Sequence, residues 1–197
     1  MPYCKTGVSE HWNDESGDWG DLDGPLQVPR YRTIARLVAS FCPGWPRSIL
    51  DVGCGEGVLR DYLPEYDYFG IEPSRIAAQT ASARSGQDHI FCGVAAEFAP
   101  NGRTFSAVVF NEMLYYTPDP VAILSQFAPL APVVIVSIFQ RPVSLKEWFG
   151  HRVHSSMNNV RCMQLILQFA ATNGWRVESD ELVDNRWRIV AMRPPVI

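Results

Sequence analysis

The residues best suited to chemistry lie in the run Asp51-Val52-Gly53-Cys54-Gly55-Glu56-Gly57, which follows the apolar stretch Ser48-Ile49-Leu50. An apolar strand that runs into alternating glycines, with a helical pattern behind it, makes a loop that turns sharply and brings backbone N–H groups close to a ligand. A second acid, Glu72, ends the stretch Tyr68-Phe69-Gly70-Ile71 about 20 residues further on, where a carboxylate can accept both hydroxyls of a ribose. Loop and acid together point to an adenosine-containing cofactor.

Glycine spacing narrows the choice. The dinucleotide fingerprint G-x-G-x-x-G needs a third glycine where this chain has Val58; its pattern is Gly53-x-Gly55-x-Gly57. The run D-V-G-C-G-E-G instead resembles the first motif of class I S-adenosylmethionine-dependent methyltransferases. That cofactor carries no phosphate; it has a methionine carboxylate and ammonium, a sulfonium, a ribose and an adenine. Loop N–H groups suit the carboxylate, and Asp51 with the loop carbonyls suits the ammonium.

The resemblance covers residues 48–192 and implies further positions. Its cofactor site would comprise Asp51, Gly53, Cys54 and Gly55 of the loop and Glu72 with Pro73 at the second strand tip. Ala95 and Ala96 would contact the adenine, and Asn111 and Glu112 would line the sulfonium side past strand four. The chain departs from the family in three places. No acid stands at Val94 or Ala95 to meet the adenine amine, Ser106 replaces the usual Asp after Phe105, and Tyr116 stands where a histidine is frequent.

In-line methyl displacement needs alignment above all, and a base when the acceptor is a hydroxyl. Candidate catalytic residues are Tyr116, at the crevice end of strand four, and His151 and His154, in a segment after strand five. Arg141 and Arg152 in that segment could pair with an acidic or aromatic acceptor. No metal is expected, because Asn111, Glu112 and Asp119 follow no spacing that converges on a cation.

The elements that must position these groups can be read from pattern. A helix over 31–41 has Ile34, Leu37, Val38 and Phe41 on one face. Strands are predicted at 48–52, 68–72, 89–93, 105–110 and 133–139, with helices at 58–63, 74–84, 120–127 and 161–172 and a loop or short-helix insert over 140–158. Two final strands, 175–183 and 186–192, are joined by Asp184-Asn185, too tight a link for a parallel crossover, so they pair antiparallel. The expected fold is α/β: a doubly wound, mostly parallel seven-stranded sheet with an antiparallel C-terminal strand, Rossmann-like. Residues 1–47 form an N-terminal arm and capping helix, and 48–197 the S-adenosylmethionine-binding catalytic domain, one domain overall.

Composition bounds the function. The chain has 197 residues, 47% hydrophobic and 19% charged, with a net charge of −4. That charge offers no basic face to nucleic acid. Neither a membrane span nor a leader segment is read, and five scattered cysteines form no C-x-x-C pair, so a cytoplasmic setting is expected. The reading is a methyltransferase that acts on an oxygen, less readily a nitrogen, of a small molecule of natural-product or sugar type, mainly by positioning. S-adenosylmethionine is its cofactor and S-adenosylhomocysteine its product. The alternatives are an NAD(P)-dependent oxidoreductase and a cofactor-binding partner protein without turnover. A macromolecular acceptor is disfavoured, since Asn111-Glu112-Met113-Leu114 lacks the Pro-Pro-aromatic motif of amino-methylating nucleic-acid enzymes.

Overall fold

The computed structural model describes residues 22–44, 47–85, 89–140 and 153–195, with side chains from residue 158 in the last segment. The order of elements is helix α1 (Val28–Phe41), strand β1 (Ser48–Val52), β2 (Asp67–Glu72), α2 (Arg75–Ser85), β3 (Ile90–Cys92), β4 (Ala107–Asn111), α3 (Pro120–Phe127), β5 (Val134–Phe139), α4 (Val153–Thr172), β6 (Arg176–Val183) and β7 (Trp187–Arg193). They build one seven-stranded sheet in the order β3-β2-β1-β4-β5-β7-β6. The first five strands run parallel, and β7 enters antiparallel between β5 and β6. This is the expected α/β class.

Two cores follow from the two-residue strand period. Ile49, Val109 and Ile135 face one side, packed with Tyr31, Ile34 and Val38 of α1. Leu50, Val52, Val108, Phe110, Val134 and Val136 face the other, with Phe127 of α3 and Ile166 of α4. β1 is buried at every position because helices cover both its faces. One charge, Asp51, lies within that strand on the α1 side.

The reversal at the sheet edge depends on Asp184 and Asn185, whose φ values of 50° and 51° make the left-handed two-residue turn that antiparallel strands need. At the other end, α2 is lined by Ala77, Ala78 and Ala81. Gly57, at φ 75°, uses that smoothness: a Cβ there would stand 3.1 Å from the Ala81 backbone.

Several boundaries differ from the sequence reading, among them the start of α1, which lies at Val28 and not at residue 31. Strand four begins at Ala107, and just before it Ser106 is tied to Ser48 twice, its hydroxyl accepting from the Ser48 N–H at 3.3 Å and its N–H donating to the Ser48 carbonyl at 2.8 Å. Residues 58–62 form a tight 3-10 turn in place of a regular helix. The helix expected from residue 161 starts at Val153. Its first turns are polar and show no apolar period, but buried Asn159 ties them to the sheet by donating to the Phe139 carbonyl at 2.9 Å.

Candidate functional site

The parallel strands end at one edge of the sheet, and their carboxyl ends bring the glycine turn, Glu72 and the segment after β4 together. Gly53, at φ 74°, lies directly under Met113: a Cβ on it would be 2.7 Å from the Met113 Cβ. The turn after β4 thus packs straight onto the glycine loop. Open α/β sheets bind ligands at this edge, in the crevice where the strand order reverses, which here falls between β1 and β4.

Glu72 is 2% exposed, and its carboxylate holds the loop in shape. Oε2 accepts the Gly55 N–H at 2.8 Å and Oε1 the Ser74 N–H at 2.9 Å. Loss of water raises its pKa above the usual carboxylate range, and the two N–H groups partly oppose that rise. The loop amides are engaged internally: Gly53 and Cys54 donate to the Ile71 carbonyl, and Gly57 to the Cys54 carbonyl. A ligand carboxylate therefore does not find the N–H nest expected from the glycine spacing at these positions. Cys54 is buried and its thiol is kept neutral by burial. Pro73 follows Glu72 at the strand tip.

Asp51 is 1% exposed. The Tyr68 hydroxyl donates to Oδ2 at 2.5 Å, while Oδ1 has no partner. Burial raises its pKa to about 7, against the lowering effects of the Tyr68 bond and the Arg30 charge. Arg30 itself, on α1, is 4% exposed, lies 4.6 Å from the Tyr31 ring centroid and 5.7 Å from that of Trp187, and has an unpaired Nε.

Past β4, Glu112 takes a left-handed φ of 62°. Its Oε1 accepts from the Ser137 hydroxyl at 2.8 Å; its Oε2 accepts from the Phe139 N–H at 3.0 Å and the Tyr115 hydroxyl at 3.0 Å. Withdrawal from water raises its pKa, opposed first by the Arg30 charge and then by these bonds. Asn111 faces the same Ser137 hydroxyl through Oδ1 at 3.0 Å. The Tyr115 and Tyr116 rings lie 4.4 Å apart, and Tyr116 is 36% exposed. Ala95 and Ala96 open a short turn after β3, whose Ala95 carbonyl accepts from Gln126 at 3.2 Å.

The strand edge thus gathers Asp51, the glycine loop, Glu72, Asn111, Glu112 and Tyr116. His151 lies outside the described residues, as do Arg141 and Arg152 and the first 21 residues of the arm; for His154 only the backbone, in α4, is described. Sequence reasoning passed over Arg30, Tyr68 and Ser137. Arg30 left one signal: it precedes Ile34 by four residues and so shares the apolar stripe of α1, where a charge is out of place. Among the described residues, no three His, Cys, Asp or Glu side chains converge on a metal position. A separate concavity of about 880 Å³, lined by Phe105, Pro129, Phe169 and Trp175, sits at the amino ends of β4 and β5, away from these groups.

A family model described as a methyltransferase domain matches residues 27–179. The chain belongs to the class I S-adenosylmethionine-dependent methyltransferases. It is similar to the ubiquinone biosynthesis O-methyltransferase of Albidiferax ferrireducens, at 27% identity over 132 residues, covering 60% of this chain and 51% of that protein. The mitochondrial ubiquinone biosynthesis O-methyltransferase of Bos taurus is 31% identical over 128 residues, covering 57% and 35%. The chain thus matches about half or less of the length of these curated relatives. Its fold is shared with magnesium protoporphyrin IX methyltransferase of Synechocystis PCC 6803, with S-adenosylmethionine bound (TM-score 0.66, 19% identity, 97% of each chain). It is also shared with the N-methyltransferase NodS of Bradyrhizobium japonicum WM9, in complex with S-adenosylhomocysteine (TM-score 0.69, 15% identity, 97% and 98%).

The residues present fit the family's cofactor. Asp51 Oδ1 and Arg30 Nε are buried without a hydrogen-bond partner, and the ammonium and carboxylate of an amino-acid end offer the complementary donor and acceptor.

Proposed function

We propose that this methyltransferase moves the methyl group of S-adenosylmethionine to a hydroxyl oxygen of a small molecule. The observation that carries the reading is the charge of the crevice. Asp51, Glu72 and Glu112 stand at successive strand tips, and burial raises the pKa of each. Such a site penalises anions and rewards a ligand bearing cations, as a sulfonium and an ammonium do. A nicotinamide dinucleotide would bring a pyrophosphate to three acids, and the broken fingerprint at Val58 offers it no compensation.

Each residue then has a task. Asp51 holds the ammonium and Arg30 the carboxylate, a place the loop amides cannot fill. Glu72 keeps two acceptor lone pairs for the ribose while it shapes the Gly53-Cys54-Gly55 loop, and Pro73 fixes its exit. Ala95 and Ala96 form the floor for the adenine, and Asn111 borders the sulfur. The bound donor supplies an activated methyl on a sulfonium. The protein supplies alignment, exclusion of water and a route for the hydroxyl proton. Oxygen is favoured because the curated relatives are O-methyltransferases and because Tyr116 reaches the crevice beside a carboxylate. No described helix is long and apolar enough to cross a membrane. Cys42, Cys54, Cys92 and Cys162 are free thiols, which supports a reducing, cytoplasmic setting.

Titration calorimetry with S-adenosylmethionine, S-adenosylhomocysteine and NADH tests the donor, and transfer of labelled methyl to panels of hydroxyl and amine compounds tests the acceptor. Heat with both adenosyl ligands and label in the hydroxyl panel are expected. Heat with NADH alone would overturn the donor, and label confined to amines the acceptor atom.

A further inference from the structure

We infer that Glu112, Tyr115 and Tyr116 form a proton relay that carries the acceptor's hydroxyl proton away from the crevice, with Tyr116 touching the acceptor and Glu112 as the terminal proton acceptor. The inference rests on the proposed methyl transfer to oxygen.

Three features of the geometry carry it. The first is continuity. Glu112 Oε2 accepts the Tyr115 hydroxyl at 3.0 Å, the two tyrosine rings lie 4.4 Å apart and tilted by 47°, their hydroxyls are side-chain hydrogen-bond partners, and Tyr116 at 36% exposure is the member that meets solvent. The chain of hydroxyls leads from the open crevice to a carboxylate withdrawn from it. The second is that the carboxylate is held for a purpose. Glu112 keeps a left-handed backbone that no glycine relieves, at φ 62°, and such strain persists only where surrounding contacts fix it. Ser137 and the Phe139 N–H hold it from β5, and the charged group that faces it is Arg30 on α1. The third is that both protonation states fit. When ionised, Oε2 accepts from Tyr115. After gaining the proton, Oε2 donates back along the same line, and the Ser137 and Phe139 contacts stay in place. Burial raises the pKa of Glu112, the direction that favours proton acceptance.

The step balances. As the acceptor oxygen forms its bond to the methyl carbon, the carbon–sulfur bond breaks with its electron pair left on sulfur. The hydroxyl proton passes to the Tyr116 oxygen, the Tyr116 proton to Tyr115, and the Tyr115 proton to Glu112. A neutral thioether, a methyl ether and a protonated carboxyl result, and solvent later removes the proton. Tyr116 is the catalytic residue of the three; Tyr115 and Glu112 act through it.

The test uses the whole chain with sinefungin, whose ammonium takes the place of the sulfonium and which cannot transfer a methyl. Calorimetry first establishes that sinefungin binds. 4-Nitrophenol is then added at a pH about one unit below its own pKa, and the visible absorbance of bound phenolate is read at saturation. Wild type is expected to hold the probe largely as phenolate. Tyr116→Phe, which keeps the ring contact, is expected to lower the bound-phenolate fraction at least tenfold while sinefungin affinity stays within about threefold; Glu112→Gln, which also removes a charge from the crevice, is expected to lower the fraction as far at saturating sinefungin. A merely structural role would not move this signal. If Glu112→Gln fails to fold, Tyr116→Phe carries the test alone. Equal phenolate signals in wild type and Tyr116→Phe, a probe held neutral in wild type, or a probe that does not bind would each overturn the relay. Failure of sinefungin itself to bind would instead overturn the proposed function beneath it.

Discussion

If Asp51 holds the cofactor's ammonium, as proposed, cofactor binding should depend on pH in a definite direction. Its carboxyl titrates near pH 7 in the folded protein, against an ordinary value of 3.8, because burial outweighs the Tyr68 bond and the Arg30 charge. That gap corresponds to about 4 kcal/mol between the two protonation states. Between these values the folded chain holds a proton that the unfolded chain has released. The stability this group contributes is therefore fully present below about pH 4 and is lost as pH rises through about 7. Binding an ammonium at Oδ1 reverses the preference and requires the ionised form. S-adenosylmethionine affinity should then rise with pH, approaching tenfold per unit between about pH 5 and 7 and levelling above. Calorimetry in two buffers of different ionisation enthalpy should detect about one proton released per cofactor at the low end. Glu72 also titrates above the usual range and faces Asp51, so Asp51→Asn isolates the contribution: weaker binding and no proton release from this position are expected. A flat affinity profile in wild type, or the same slope in Asp51→Asn, would refute the placement of the ammonium at Asp51.

Glu72→Ala should weaken S-adenosylmethionine binding by about 1–3 kcal/mol, read by calorimetry, and lower stability by a similar amount in denaturant melts, because the Gly55 and Ser74 N–H groups lose their acceptor. Gly53→Ala should cost about 1–3 kcal/mol in the same melts, since its Cβ would enter the Met113 Cβ at 2.7 Å. Adding Met113→Ala should not rescue it, because alanine keeps the clashing Cβ. Arg30→Met should weaken cofactor binding about tenfold, and should also lower the stability of the ligand-free protein, because Asp51 and Glu112 lose the charge that opposes their rise in pKa. Cofactor affinity unchanged in folded Arg30→Met would make Arg30 purely structural.

The parts of this molecule that could be read from its sequence are those in which one residue type answers one local demand. Alternating glycines after an apolar strand, an acid at the next strand tip and Asp184-Asn185 in a two-residue turn each state a backbone requirement that few other residues meet, so the α/β class and the antiparallel last pair could be read from them, while the strand order could not. The functional chemistry lies one step further out, in pairings between distant elements that no local period encodes. Nothing in the spacing of Ser48 and Ser106 announces that the hydroxyl of one will meet the N–H of the other, nor does a polar run from Val153 announce a helix that Asn159 will anchor. The same holds for the acids. Sequence placed Asp51, Glu72 and Glu112 near a ligand, but which of their oxygens remain available was set by Tyr68, by the loop's own amides and by Ser137. The glycine loop is the clearest case: its spacing suggests a nest of free N–H groups, whereas three of its amides hold the Ile71 and Cys54 carbonyls and a fourth holds Glu72. With those four donors engaged, the anionic end group is proposed to meet a cation from outside the motif. Arg30, displaced from the apolar logic of its own helix and left with an unpaired Nε beside Asp51, has the charge and the position for that task.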